Sequence, residues 1–160
     1  MEVRATREDE WPALRKVRLA SLQDSPEAFW SSYEEMVDQP ETFWRQRAAS
    51  GTLFLAWSRS GDPVGIAGGM RMDDRPEERH LISMWVSPEA RGHGIARLLV
   101  DAVVDWARAD GAQELSLWVV DGNERALRLY ERLGFRLTGD RQDFPGDDPR
   151  TESRMLLTLR

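Results

Sequence analysis

The chain has 160 residues, 28 acidic against 22 basic side chains, a net charge of −6 and no cysteine. That length suits a single domain over residues 1–160, with a core large enough to fold without a disulfide or a metal. The missing thiols exclude a disulfide framework, a cysteine nucleophile and cysteine-ligated zinc, and the acidic balance excludes a broad electrostatic footprint for nucleic acid.

No stretch has the apolar length of a membrane span, and the first residues lead into no signal-peptide core, so a soluble, cytoplasmic protein without a membrane partner is expected. Val3 to Ala5 reads as a short strand. Thr6 and Asp9 resemble a capping box, after which Trp11, Leu14, Val17, Leu19 and Leu22 recur at roughly helical spacing. Asp24-Ser25-Pro26 stops that helix. A loop follows to Pro40, which opens a second helix running to about Ala49.

Thr52 to Trp57 and Val64 to Met70 read as a hairpin around the turn residues Ser58 to Pro63. A polar connector, 73–79, leads into a strand from His80 to Val86. Ile95, Leu98, Leu99, Ala102, Val103 and Trp106 then describe one face of an amphipathic helix ended by Asp110-Gly111. Leu115 to Val120 is a near-continuous apolar strand of the kind buried on both faces. Asn123 starts a helix through Ala126 and Tyr130, closed by Gly134. Phe135 to Leu137 and Met155 to Leu159 are the last strands, with a polar loop or hairpin tip over 140–150. Strand 80–86, helix 94–109 and strand 114–120 form a βαβ unit, so the class is mixed α/β.

The sharpest feature is Arg91-Gly92-His93-Gly94-Ile95-Ala96, a glycine-containing loop between a strand and an amphipathic helix. Such a loop can aim successive backbone N–H groups, reinforced by a helix N-terminus, at a phosphate. No Gly-Lys-Ser/Thr follows, which excludes a Walker A loop, and the dinucleotide spacing is also wrong.

The run Trp85-Val86-Ser87-Pro88-Glu89-Ala90-Arg91-Gly92-His93-Gly94-Ile95-Ala96 resembles the acyl-CoA pyrophosphate loop of the GNAT superfamily of N-acetyltransferases. A second motif of that family, Asn123, Ala126, Tyr130 and Gly134-Phe135, follows after the expected helix and strand. The resemblance covers residues 80–136 strongly and the N-terminal half only in its order of elements. It implies a central mixed sheet of six or seven strands flanked by about four helices. Two parallel strands within that sheet splay apart to admit acetyl-CoA as cosubstrate.

It also implies roles. The main chain of Met84 and Val86 pairs with the pantetheine arm as an added strand would. Backbone N–H groups of Arg91, Gly92, His93, Gly94, Ile95 and Ala96 hold the pyrophosphate. Asn123 and Ala126 sit beside the pantetheine. Tyr130 protonates the departing sulfur, although at helical spacing it reads equally as core. In one branch of the superfamily a carboxylate accepts the proton of the amine, six residues before the strand-final valine. Here that position is His80, an imidazole suited to a base near neutrality, or else a surface residue at a strand start.

For the acceptor, a primary amine of a small molecule or a peptide, Phe29, Tyr33, Glu34 and Glu35 offer aromatic faces and carboxylates suited to a cation. The same residues suit packing and surface charge. No metal is expected, and a homodimer is compatible with the chain. The alternative functions are a non-catalytic acyl-CoA-binding or regulatory domain, and an acetyltransferase for protein N-termini or lysines.

Overall fold

A computed structural model of the protein describes residues 1–159. Seven strands form one sheet in the order β1-β2-β3-β4-β5-β7-β6. They are β1 (Glu2–Ala5), β2 (Leu53–Trp57), β3 (Pro63–Arg71), β4 (Glu78–Val86), β5 (Glu114–Val120), β6 (Arg136–Asp143) and β7 (Thr151–Thr158). Every neighbouring pair is antiparallel except β4 and β5. The helices are α1 (Trp11–Asp24), α2 (Tyr33–Val37), α3 (Glu41–Ala48), α4 (Ile95–Ala109) and α5 (Glu124–Arg132).

The sheet separates two cores. On one face α4 buries Leu99, Val103 and Ala107 against Phe54, Ala67, Leu81, Leu115 and Leu117. This is the period-3.6 stripe of the sequence meeting the alternating faces of the strands. Gly69 lets the helix come close, because a Cβ there would stand 2.2 Å from the Trp106 ring. On the other face α1, α2 and α3 bury Leu14, Val17, Leu22, Met36 and Trp44 over Leu53, Leu55, Ile66 and Trp85.

Several boundaries differ from those expected. Thr6 is not the cap of α1: its hydroxyl donates to the Ala48 carbonyl at 2.8 Å, and Glu10 accepts from the Arg7 N–H at 2.9 Å instead. The loop before Pro40 contains the five-residue α2, capped by Ser32, whose hydroxyl accepts from the Glu35 N–H. A helix so short has no periodicity to read. Glu78 and Arg79 belong to β4, and β6 runs on to Asp143, so only 144–150 form the hairpin tip. Polar residues extend these strands because ladder partners, not apolar side chains, satisfy their backbones.

Strands β4 and β5 pair only over Glu78–His80 with Glu114–Ser116. Beyond that point they part. Ser83 takes φ +58° and the β3–β4 register slips between Ile66 and Gly68, a bulge that bends the end of β4 away from β5. The parallel pair therefore opens into a wedge whose walls end at Val86 and Val120.

Candidate active site

A cleft of about 780 Å³ occupies that wedge. Met84, Trp85 and Val86 form one wall, Asn123, Ala126 and Tyr130 the other, and the turn from Arg91 to Arg97 closes one end. Segment 24–29 brings Asp24, Ala28 and Phe29 to it from α1. From Leu81 to Val86 the edge of β4 that faces β5 has no strand partner, so its backbone groups are free to pair with an extended ligand.

The turn before α4 has the geometry of an anion cradle. Gly92 and Gly94 both have positive φ, +83° and +78°, a conformation costly for residues with a Cβ. Gly94 is the N-cap and supplies no side-chain acceptor to the first turn of the helix. The backbone N–H groups from Gly92 to Arg97 have no hydrogen-bond partner among the described residues. Such donors at a helix N-terminus favour a phosphate. The residues present fit a nucleotide pyrophosphate with an extended arm.

The side chains of the turn face other tasks. Arg91 donates through Nε to the Val86 carbonyl at 2.9 Å and through a terminal nitrogen to Asp24 at 2.7 Å. The Trp85 indole N–H donates to the same Asp24 oxygen at 2.9 Å. These bonds hold the Asp24 carboxyl below the usual range, the Trp85 bond contributing most. His93 turns its ring toward the Ala90 carbonyl at 3.2 Å and stays exposed, so only its backbone belongs to the cradle.

On the opposite wall Asn123 caps α5, its Oδ1 accepting from the Ala126 N–H at 3.2 Å. That bond leaves the side-chain amide N–H groups for the cleft. Tyr130 is 8% exposed and packs edge-on to Phe135, with centroids 5.8 Å apart. Its hydroxyl makes no hydrogen bond to the described residues and borders the cleft. Burial pushes the phenol above its ordinary pKa, which keeps it protonated.

His80 departs from expectation. It is buried in the closed half of the wedge and does not line the cleft. Its Nδ1 lies 2.8 Å from the Ser116 hydroxyl, which donates to Glu78 at 2.7 Å, and Glu78 is ion-paired with Arg154. Because Ser116 spends its one proton on Glu78, His80 Nδ1 is the donor of their shared bond. Burial is the main cause that pulls the imidazole down to about 4, with Glu78 opposing and Arg154 assisting. A strand-start histidine on a surface is thus corrected to a neutral, buried one.

Among the acceptor candidates, Phe29 reaches the cleft, while Tyr33 packs into the α1–α3 core and Glu34 and Glu35 lie exposed on α2 away from the lining. Two neighbouring carboxylates went unread in the sequence. Asp24 looked like a helix stop, since its partner Arg91 is 67 residues away. Glu152 lies in β7 with 4% exposure and accepts from Trp30, 122 residues earlier. The one local signal was a charged residue at alternate positions, Glu152 and Arg154, in an otherwise regular strand. Among the described residues no cluster of side chains suits a metal, and no helix is long and apolar enough to cross a membrane.

Comparison with known proteins bears on this geometry. The sequence profile described as the Acetyltransferase (GNAT) family matches residues 14–135. N-acetyltransferase 8 of Homo sapiens is 29% identical over 116 residues, covering 69% of this chain and 51% of that protein. Mycothiol acetyltransferase of Propionibacterium freudenreichii is 28% identical over 130 residues, covering 81% of this chain and 41% of that one. This chain therefore spans about half the length, or less, of those relatives. The yncA protein of Salmonella typhimurium, solved with its cofactor acetyl-CoA, superposes with a TM-score of 0.78 over 100% of this chain and 94% of its own, at 19% identity. That likeness is one of fold.

Proposed function

This chain belongs to the acetyltransferase (GNAT) family, and from that premise we propose that it moves an acetyl group from acetyl-CoA directly to a primary amine of a small molecule or peptide. The observation that carries the proposal is the row of unpartnered N–H groups from Gly92 to Arg97 at the mouth of a cleft whose β4 wall has free backbone edges. Bound there, acetyl-CoA supplies an activated acetyl thioester.

The protein's own part is positioning and proton handling. The cradle holds the pyrophosphate by charge-assisted hydrogen bonds, and the β4 edge at Met84 and Val86 holds the extended arm in register. Asn123 can donate its side-chain amide to the arm's polar groups from the other wall. An N–H of β4 near the Ser83 bulge is suited to the oxygen on which negative charge develops, the kind of fixed dipole that lowers such barriers most. Burial keeps the Tyr130 proton in place in the ground state, and its hydroxyl, free of partners among the described residues, can donate to the leaving sulfur as negative charge develops there. His80 offers a neutral imidazole whose tautomer Ser116 fixes. Its depressed pKa and its place outside the cleft lining leave the proton of the amine to water.

The test is an acceptor screen that follows release of free CoA thiol, covering diamines, amino acids, aminoglycosides and peptides. Amine-dependent release well above the hydrolysis background supports transfer. Tight acetyl-CoA binding with no amine-dependent release across the panel would make the domain a binding module.

A further inference from the structure

Among the described residues Glu152 is a buried carboxylate without a counter-ion. It is 4% exposed, yet no cationic side chain among the described residues lies within ion-pair distance of it. The two arginines nearest in sequence are engaged elsewhere: Arg154 with Glu78 and Asp140, Arg150 with Asp148. Burying an unpaired charge costs several kcal/mol in general, so such a group calls for a function.

The surroundings specify one. Both hydrogen bonds that Glu152 accepts, from the Trp30 indole at 3.1 Å and from the Gln142 amide at 2.5 Å, fall on Oε1. Oε2 accepts none from the described residues, and it is not among their buried polar atoms that lack a partner, so solvent reaches it. Trp30 is 56% exposed, and its ring centroid stands 6.3 Å from that of Phe144, which is buried. Arg150 lies 4.2 Å over the Phe144 ring and donates to the Pro26 carbonyl, tying the β6–β7 tip to the segment before Trp30. That segment is the one whose Ala28 and Phe29 line the cofactor cleft. Burial is the largest cause raising the Glu152 carboxyl, Asp121 adds to it, and Gln142, Trp30 and Arg150 oppose.

We infer that Glu152 Oε2, framed by the indole of Trp30, is the docking point for a cationic group of the acceptor, which makes the acceptor a small organic cation carrying a protonated amine. A carboxylate oxygen left free beside the indole edge that binds its partner oxygen suits an ammonium and disfavours an anionic or neutral acceptor. The word acceptor rests on the acetyl-transfer reading; the cation site stands on its own geometry. Glu152 is a binding residue here and carries no bond-making step.

The experiment uses the full chain saturated with CoA, labelled at the tryptophan indoles, with the Trp30 N–H signal assigned from Trp30→Phe. Titration with 1,4-diaminobutane at constant ionic strength should move that signal saturably, 1,4-butanediol should not, and Glu152→Gln should abolish the response. The isosteric substitution removes uncompensated charge and keeps an acceptor for Trp30, so its melting temperature should equal or exceed that of the wild type. An equal response in Glu152→Gln, or none in the wild type up to tens of millimolar, overturns the inference, and so does a lowered melting temperature with unchanged diamine binding. With any cationic acceptor that turns over, Glu152→Gln should raise the acceptor KM by roughly tenfold or more, with kcat and the acetyl-CoA KM held. Diamine binding without turnover of any amine would leave the cation site standing and remove the transfer reading. Turnover with an unchanged acceptor KM would do the reverse.

Discussion

The neutral state of His80 has a measurable consequence. Its pKa is about 4 in the folded protein against an ordinary 6.5, because desolvation outweighs the pull of Glu78. Between those values the unfolded chain binds a proton that the folded chain refuses. Stability contributed by this group is therefore complete above 6.5 and is lost as pH falls through 4. Linkage gives a loss of about 2 kcal/mol on going from pH 7 to pH 5, and about 3 kcal/mol by pH 4. For a chain of this size the pH 5 value corresponds to a fall in Tm of roughly 4–8 °C. Glu152 works in the opposite sense, since a raised carboxyl stabilises the fold as pH drops toward its folded pKa. Asp110 and Asp121, held down to about 2 by their arginine and hydroxyl partners, give stability that is lost only below the ordinary carboxylate range. The His80 contribution is thus isolated by difference. Urea unfolding of the wild type and His80→Gln, followed by tryptophan fluorescence at pH 7 and pH 5, should show the variant losing less on acidification by about 2 kcal/mol. Parallel losses in the two proteins, with an imidazole titrating near 6.5 by NMR, would refute the burial account.

Tyr130→Phe keeps the ring against Phe135 and removes only the hydroxyl, so acetyl-CoA affinity should hold while turnover falls by roughly 10²-fold, as steady-state kinetics can check. Gly94→Glu forces a side chain into a positive-φ position and brings a negative charge to the cradle; the rise in Tm that acetyl-CoA confers on the wild type should vanish in a thermal-shift assay. Asp24→Ala releases both Arg91 and Trp85, and calorimetry should find CoA affinity weakened by roughly two- to fivefold, the scale of a half-exposed ion pair. Gly69→Ala drives a methyl group into the Trp106 ring and should cost about 1–3 kcal/mol in denaturant unfolding, with no change in CoA affinity per folded molecule.

The sequence by itself determined what depends on neighbours along the chain. The apolar stripe of α4, the glycines of the turn at 91–96 and the cap at Asn123 each express a local geometric requirement, a helical period, a positive φ or an orphan N–H. The order of strand, turn, helix and strand around them, together with the two motifs that resemble the acetyltransferase family, carried the expectation of an acetyl-CoA cleft between the parallel strands. The tertiary structure decided what depends on residues brought together across the sheet. Only the parting of β4 from β5 makes a wedge, and it rests on a bulge at Ser83 that no residue type announces. His80 reads as an accessible base until Ser116 and Glu78 are found beside it, and Asp24 reads as a helix stop until Arg91 reaches it. Glu152 is one charged residue in a strand until Trp30, from the far end of the chain, closes over it. Burial and charge balance are sums over such distant partners, and they govern the protonation and affinity of a site that local pattern can only locate.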